Sequence, residues 1–240
     1  MKKTRVSVTI PVTVRSLLRT IGHIADQDRL PAYAVGGCVR DWMLRHRATP
    51  DLDITVEGSG VELARHVAKA LQGTLTVHEQ FGTATVKTRH LRLDVATCRK
   101  ERYTKPAAYP KVSAGRLRDD LFRRDFTVNA MAVAIVPKRF GELIDPFHGL
   151  QDLRRKQLRM LHERSFFDDP SRILRGVRFA QRFGLHWEPT TEEAARRAIV
   201  AGALGWLNTG RLRKELDRML NEPNPRACLR GLAMLLDPLA

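Results

Sequence analysis

The chain is poor in cysteine, has no long apolar run and pairs none of its histidines at a ligand spacing. Each shortage excludes something. Its three cysteines, Cys38, Cys98 and Cys228, are far apart and form no Cys-x-x-Cys pair, so neither a zinc site nor a disulfide framework is indicated. A reducing cytoplasm suits such a chain. The eight histidines are scattered, and His148 reads as a turn or packing residue, not a ligand. The opening Met-Lys-Lys-Thr-Arg resembles the charged start of a signal peptide, but Pro11, Thr13, Arg15 and Ser16 interrupt the apolar core that should follow. No stretch is long enough to span a bilayer, and no membrane partner is expected.

Acidic residues are also in short supply. Against 42 Lys and Arg stand 26 Asp and Glu, a net charge of +16, and the pI is near 10.7. That excess is the electrostatic footprint of a nucleic-acid partner, with a solvated basic surface as the plainer alternative. The rest of the composition is ordinary for a globular protein, at 43% hydrophobic and 28% charged residues in a chain of 240. Such a length buries a real core and suits one large or two small domains.

The stretch from Tyr33 to Glu57 organises the chain. An apolar run stops at Gly36-Gly37, followed by Cys-Val-Arg-Asp and then, after a short link, Asp51-Leu52-Asp53. Glycines without Cβ atoms let backbone N–H groups approach an anion, and a helix opening there adds its positive end. Arg40 falls in the first turn of that helix. Alternate residues of a strand share a face, which puts Asp51 and Asp53 together with Cα atoms about 6.6 Å apart. Such a pair suits a hard cation that keeps water and substrate phosphate. Taken singly, Gly-Gly is also a common tight turn, and Asp-x-Asp a common strand end.

Apolar spacing predicts helices over 12–29, 39–45 and 61–71, and strands over 32–35, 51–57, 83–88 and 91–97, the last two joined by a hairpin turn. Asp94 interrupts the apolar face of the last strand; it reads equally as an edge carboxylate paired with a nearby arginine or as a third acid of the site. Residues 99–119 hold Pro106, Pro110 and several cations without a sustained period, which predicts a loop.

Arg123-Arg124-Asp125-Phe126-Thr127-Val128-Asn129-Ala130 follows. Asp125 before an apolar run reads as a helix N-terminus, yet capping leaves the two arginines unexplained. Farther on, Asp169-Pro170 opens a predicted helix. At 100° per residue, Ile173, Val177 and Leu174 point near roughly 40°, 80° and 140°, while Arg172, Arg175 and Arg178 point near roughly 300°, 240° and 180°. One face is apolar and the other is an arginine ridge, solvated in the plain reading. Asp169 and Arg172, one turn apart on the polar side, offer an acceptor and a donor together. Three more helices are predicted over 190–200, 209–220 and 226–235.

Gly-Gly-x-Val-Arg-Asp with its following Asp-x-Asp, Arg-Arg-Asp-Phe-Thr-x-Asn-Ala, and Asp168-Asp169-x-x-Arg172 together resemble the class II tRNA nucleotidyltransferase and bacterial poly(A) polymerase family. That family lies within the superfamily of DNA polymerase β. The likeness runs from about residue 33 to about 220, with Asp168 where the family usually has Glu. It implies an α+β fold: a polymerase-β-type head, a mixed sheet with flanking helices over 1–148, followed by an all-helical neck over 149–240. It further implies two Mg²⁺ ions, with Mn²⁺ as a substitute, held roughly 4 Å apart by Asp51 and Asp53, and Asp94 as a third acid.

Under the same likeness Gly36, Gly37, Arg40 and Arg124 bind triphosphate, Arg123 assists, and Asp125 and Asn129 address the sugar. Asp169 and Arg172 act as an amino-acid template for the base, and Arg175 and Arg178 match arginines of the nucleotide pocket. The implied reaction adds CMP, AMP or both from CTP and ATP to the 3′ end of tRNA, in the cytoplasm. Poly(A) synthesis on other RNAs, or a non-catalytic RNA-binding module with a relict site, are the rivals. Family members usually continue into body and tail domains, whose absence suggests a truncated piece, a minimal enzyme or one needing a partner subunit.

Overall fold

The computed structural model describes residues 6–45, 51–89 and 91–237. The charged start of the chain and the tip of the hairpin at His90 lie outside the described residues. By internal packing the chain divides into two units. The first takes the described residues up to Lys100, then Val112–Arg124 and Asn129–Gly149; the second takes Glu101–Lys111, Asp125–Val128 and the described residues from Leu150 onward.

The first unit opens with helix α1 (Val12–Gln27), whose Val14, Leu18, Ile21 and Ala25 are buried at the expected helical spacing. Gly22 is required there: a Cβ on it would lie 1.9 Å from the carbonyl oxygen of Ile135, so only glycine lets the helix approach that backbone. Strand β1 (Ala32–Val35) follows, fully buried, then α2 (Gly37–Met43), β2 (Asp51–Val56), α3 (Gly60–Ala70), β3 (Thr74–His78), β4 (Thr83–Lys87) and β5 (Arg92–Thr97). Helix α3 begins where the Ser59 hydroxyl accepts a hydrogen bond from the Glu62 amide.

Where a loop was expected over 99–119, the chain forms β6 (Arg99–Arg102) and β7 (Lys111–Ala114), a two-stranded sheet, and then α4 (Leu117–Phe122). All four residues of β7 are exposed, so no apolar period announces it. The helix expected at Asp125 is also absent. A single 3₁₀ turn, Thr127–Asn129, leads instead into β8 (Ala132–Ala134) and β9 (Leu143–Ile144). A run of buried β-branched and small residues, Met131 to Ile135, can fill a strand as readily as a helix, and the neighbouring strands decide.

These strands build one seven-stranded sheet in the order β3-β4-β5-β2-β1-β8-β9. Its β2–β5 pair is parallel and the others antiparallel, as expected of a mixed sheet. The register sets Asp53 beside Asp94.

The second unit is built from α5 (Gly149–Arg154), β10 (Gln157–Leu158), α6 (Ser165–Asp168), α7 (Ser171–Phe183), β11 (His186–Trp187), α8 (Pro189–Val200), α9 (Thr209–Leu220) and α10 (Pro225–Leu236). The helical reading is right for all but a two-residue parallel pair, β10 with β11. Phe126 is the hub of its core, about 6 Å from the rings of Phe166, Phe179 and Trp187. Gly176, in the middle of α7, leaves room for this cluster, since a Cβ there would lie 2.3 Å from the Trp187 ring.

Candidate active site

In the first unit the glycine turn and the acidic strand are neighbours, because β1 pairs with β2. Gly36 has φ +76°, a backbone conformation that side chains rarely adopt, and Gly37 starts α2. A Cβ on Gly36 would lie 2.4 Å from Nη1 of Arg124, so the missing side chain is what brings that guanidinium onto the turn. Arg40 is buried: its Nε and Nη2 donate to Asp41 Oδ1 at 2.9 and 2.7 Å, and its Nη1 donates to Asn129 Oδ1 at 2.6 Å. Arg40 and Asn129, 89 residues apart, are thus one polar unit behind the turn.

Asp51 and Asp53 alternate with buried Leu52 and Ile54, so the pleat sends both carboxylates to the open face of β2. Burial raises the carboxyl pKa of Asp53; Arg124 and Arg92 oppose the rise, while Asp94 and Asp51 add to it. The protein around Asp53 withdraws water although the side chain still reaches solvent. Behind it, the Cys38 thiol is pushed up to about 12 by burial and by the Asp53 carboxylate, and is a proton-bearing packing group at neutral pH.

Asp94 is paired as the plainer of the two sequence readings expected. Its Oδ1 accepts from the Thr85 hydroxyl at 2.5 Å, and its Oδ2 accepts from Arg92 Nε at 3.1 Å, so it is an arginine-paired carboxylate; its strand register also sets it next to Asp53. Among the described residues no three His, Cys, Asp or Glu side chains gather as a closed metal cage. A pair of carboxylates left for substrate phosphate and water to complete is the pattern suited to a hard cation.

One residue that sequence reasoning passed over holds the arginines. Asp120, on α4, is 0% exposed. Its Oδ1 accepts from Arg123 Nε and Nη2 at 3.0 and 2.8 Å, and its Oδ2 accepts from Arg124 Nη2 at 3.2 Å. Burial alone would raise this carboxyl, but Arg124 and Arg123 outweigh burial and hold it below the ordinary carboxylate range. The signal was in the sequence, since Asp120 precedes the arginines by three and four residues, the spacing of side chains that meet on a helix.

In the second unit the arginine ridge of α7 is not a solvated surface. Arg172 and Arg178 are only 4% and 8% exposed. Arg175 donates through Nε and Nη2 to Asp125 Oδ2 at 2.8 and 2.5 Å, and that carboxylate raises its pKa. Arg178 donates to Glu222 at 3.1 Å and lies 4.6 Å from the Phe179 ring centroid. Arg172 Nη1 donates to the Ser165 hydroxyl at 2.7 Å, while its Nε stands 4.0 Å from Asp169 Oδ2. Asp168, the departure from the family pattern, is 3.6 Å from Arg164.

So Gly36, Gly37, Arg40, Asp51, Asp53, Asp94, Arg123, Arg124 and Asn129 belong to the first unit, and Asp125, Asp169, Arg172, Arg175 and Arg178 to the second.

A mixed sheet that sets a glycine turn beside an Asp-x-Asp strand, with an arginine laid on the turn, describes a head domain of the nucleotidyltransferase type. The chain belongs to the poly(A) polymerase head-domain family, whose model matches residues 32–159. It is 42% identical over 212 residues to an A-adding tRNA nucleotidyltransferase of Halalkalibacterium halodurans, covering 87% of this chain and 49% of that protein. A CC-adding tRNA nucleotidyltransferase of Deinococcus radiodurans is 40% identical over 201 residues, 82% of this chain and 52% of that protein. The apo form II structure of a CCA-adding enzyme superposes with a TM-score of 0.89 at 42% identity, over 94% of this chain and 53% of that one. The chain therefore spans about half the length of these relatives. Among the described residues no helix is long and apolar enough to cross a membrane.

Proposed function

We propose that this chain transfers AMP, CMP or both from ATP and CTP to the 3′ end of tRNA. The observation that carries the reading is the pair Asp51 and Asp53 on the open face of β2, with Asp94 in register beside Asp53 and the Gly36 turn on the adjoining strand. Two divalent ions, Mg²⁺ or Mn²⁺, would activate the attacking 3′-hydroxyl and stabilise the leaving pyrophosphate. Burial, with Asp94 and Asp51 adding to it, raises the Asp53 pKa, and a carboxylate whose charge is disfavoured in this way gains from a cation.

The Gly36 turn, whose own amide donates to the Met131 carbonyl at 3.2 Å, and the Gly37 amide hold the triphosphate with Arg124, Arg123 assists by sharing Asp120, and Arg40 fixes Asn129, which addresses the sugar. Within the second unit, Asp125, bonded to Arg175, is read as a sugar ligand and Arg178 of α7 as a nucleotide-binding arginine. Asp169 supplies an acceptor and Arg172 donors to the base edge. Adenine and cytosine both carry an exocyclic amino donor, which an aspartate acceptor suits. The division into a head over 1–148 and a neck over 149–240 is part of this proposal. The net charge of +16 supports an RNA partner, and three free, buried cysteines support a reducing, cytoplasmic setting.

The test is incubation with labelled ATP or CTP, Mg²⁺ and tRNAs ending before CCA, after C and after CC, with an unrelated RNA alongside. Incorporation confined to tRNA is expected. Equal labelling of the unrelated RNA identifies a poly(A) polymerase instead, and no labelling of any RNA leaves a relict RNA-binding module.

A further inference from the structure

Of the three tryptophans, Trp42 is buried and Trp187 packs on Phe126, whereas Trp206 is 42% exposed. Trp206 ends a 3₁₀ turn, Ala203–Trp206, between α8 and α9. The residues around it are anchored: Ala203 and Leu207 are buried, and the Asn208 side chain accepts from the Arg211 amide at 2.9 Å to start α9. The indole therefore faces out from a fixed turn. Its ring centroid is 6.1 Å from that of half-buried Phe167, with the two planes 37° apart. A Cβ on Gly205 or Gly202 would meet nothing within 4 Å, so the approach to the turn is open.

The surroundings of the turn are cationic. No acid stands between Glu193 and Glu215, a stretch that holds Arg196, Arg197, Arg211, Arg213 and Lys214. Arg211 donates to the Ala107 carbonyl at 3.1 Å and to Asp169 Oδ1 at 2.6 Å, and the Ala107 amide donates to the Phe167 carbonyl at 3.1 Å. We propose that Trp206 and Phe167 are a stacking platform for an unpaired base in the single-stranded end of the RNA. Every base has a π face, so such a platform holds RNA without reading its sequence, while cations near it meet the phosphates. Unpaired bases suit it because those inside a duplex are already stacked on one another. The inference rests on the RNA partner proposed above and is separate from base selection by Asp169 and Arg172.

The test uses the whole chain and an RNA hairpin with a short single-stranded 3′ tail, compared with the same hairpin whose tail nucleotides lack their bases. The abasic tail keeps every phosphate. Kd and tryptophan emission are measured for wild type, Trp206→Ala and Trp206→Leu. Trp206→Ala is expected to bind the natural tail about tenfold more weakly than wild type does, the effect of one lost base–aromatic stack, and the abasic tail within about twofold of wild type. Trp206→Leu fills space against Phe167 but offers no π face, and should behave likewise. The natural tail should quench wild-type emission, and that quench should be absent from Trp206→Leu.

Equal losses on the two tails, or wild-type affinity in Trp206→Ala, overturn the proposal. Should Trp206→Ala not fold, Trp206→Leu decides: a loss confined to the natural tail supports the platform, and wild-type affinity overturns it. Tight binding of both tails with no dependence on Trp206 sinks this inference alone. Failure of the wild type to bind either tail sinks the RNA reading, and this inference with it.

Discussion

Replacing Asp120 by alanine should weaken both the fold and nucleotide binding, because one buried carboxylate holds both arginines. The wild-type carboxylate is fully buried and accepts from two arginines whose side chains are 20% and 18% exposed. Removing one partner of a buried ion pair costs about 3–5 kcal/mol, because the remaining charge is left uncompensated. Here the arginines keep some access to water, which places the expected loss near the lower figure, about 3 kcal/mol. At about 2–4 °C per kcal/mol for a domain of this size, the melting temperature should fall by about 6–12 °C.

The sign with pH follows from the lowered carboxyl. Its stabilisation is present above the ordinary aspartate pKa and disappears as pH falls through the folded-state value, so wild type and Asp120→Asn should converge in acid, below about pH 4. Thermal unfolding followed by circular dichroism across pH measures this. The same variants should raise KM for nucleotide, since Arg124 loses the anchor that lays it on Gly36. A melting temperature within 2 °C of wild type at pH 7, or a difference that widens in acid, refutes the reasoning.

Gly176→Ala should destabilise the second unit by about 1–3 kcal/mol despite alanine's better helix propensity, because its Cβ would sit 2.3 Å from the Trp187 ring; denaturant titration checks it. Glu188 accepts from the Thr191 amide and from both the Thr190 and Thr191 hydroxyls at the start of α8. Burial acts to raise its pKa, those hydrogen bonds prevail and lower it, and Glu188→Ala should cost about 1 kcal/mol at pH 7, the difference vanishing as pH falls through its folded-state pKa. RNA affinity should drop by about 10³-fold between 50 and 200 mM salt if about six phosphates are contacted, and a flat salt titration would reject the electrostatic reading.

The parts of the fold that were legible in sequence are those where a local pattern carries the structure. Strand β1 and helix α9 run over the predicted residues because buried or amphipathic spacing is continuous through them. The Asp-x-Asp face of β2 follows from strand geometry alone. By contrast β3 was not read from the sequence although Leu75 and Val77 alternate with polar residues, because the alternation spans only five residues and none of them is fully buried. The arginine face of α7 looked solvated on a helical wheel because its partners, Asp125 and Glu222, lie 50 and 44 residues away from Arg175 and Arg178. Only tertiary folding delivers those acids. Arg211 was invisible for the same reason: its partners come from Ala107 and Asp169, 104 and 42 residues distant.

The central claim is that Asp51 and Asp53 hold the ions for nucleotidyl transfer, and single-turnover labelling of a tRNA 3′ end by Asp53→Asn tests it most directly. A bound ion contributes several kcal/mol of transition-state stabilisation, so the rate should fall by about 10³-fold or more, with the fold and RNA affinity near wild type. Transfer by Asp53→Asn within tenfold of the wild-type rate contradicts the account.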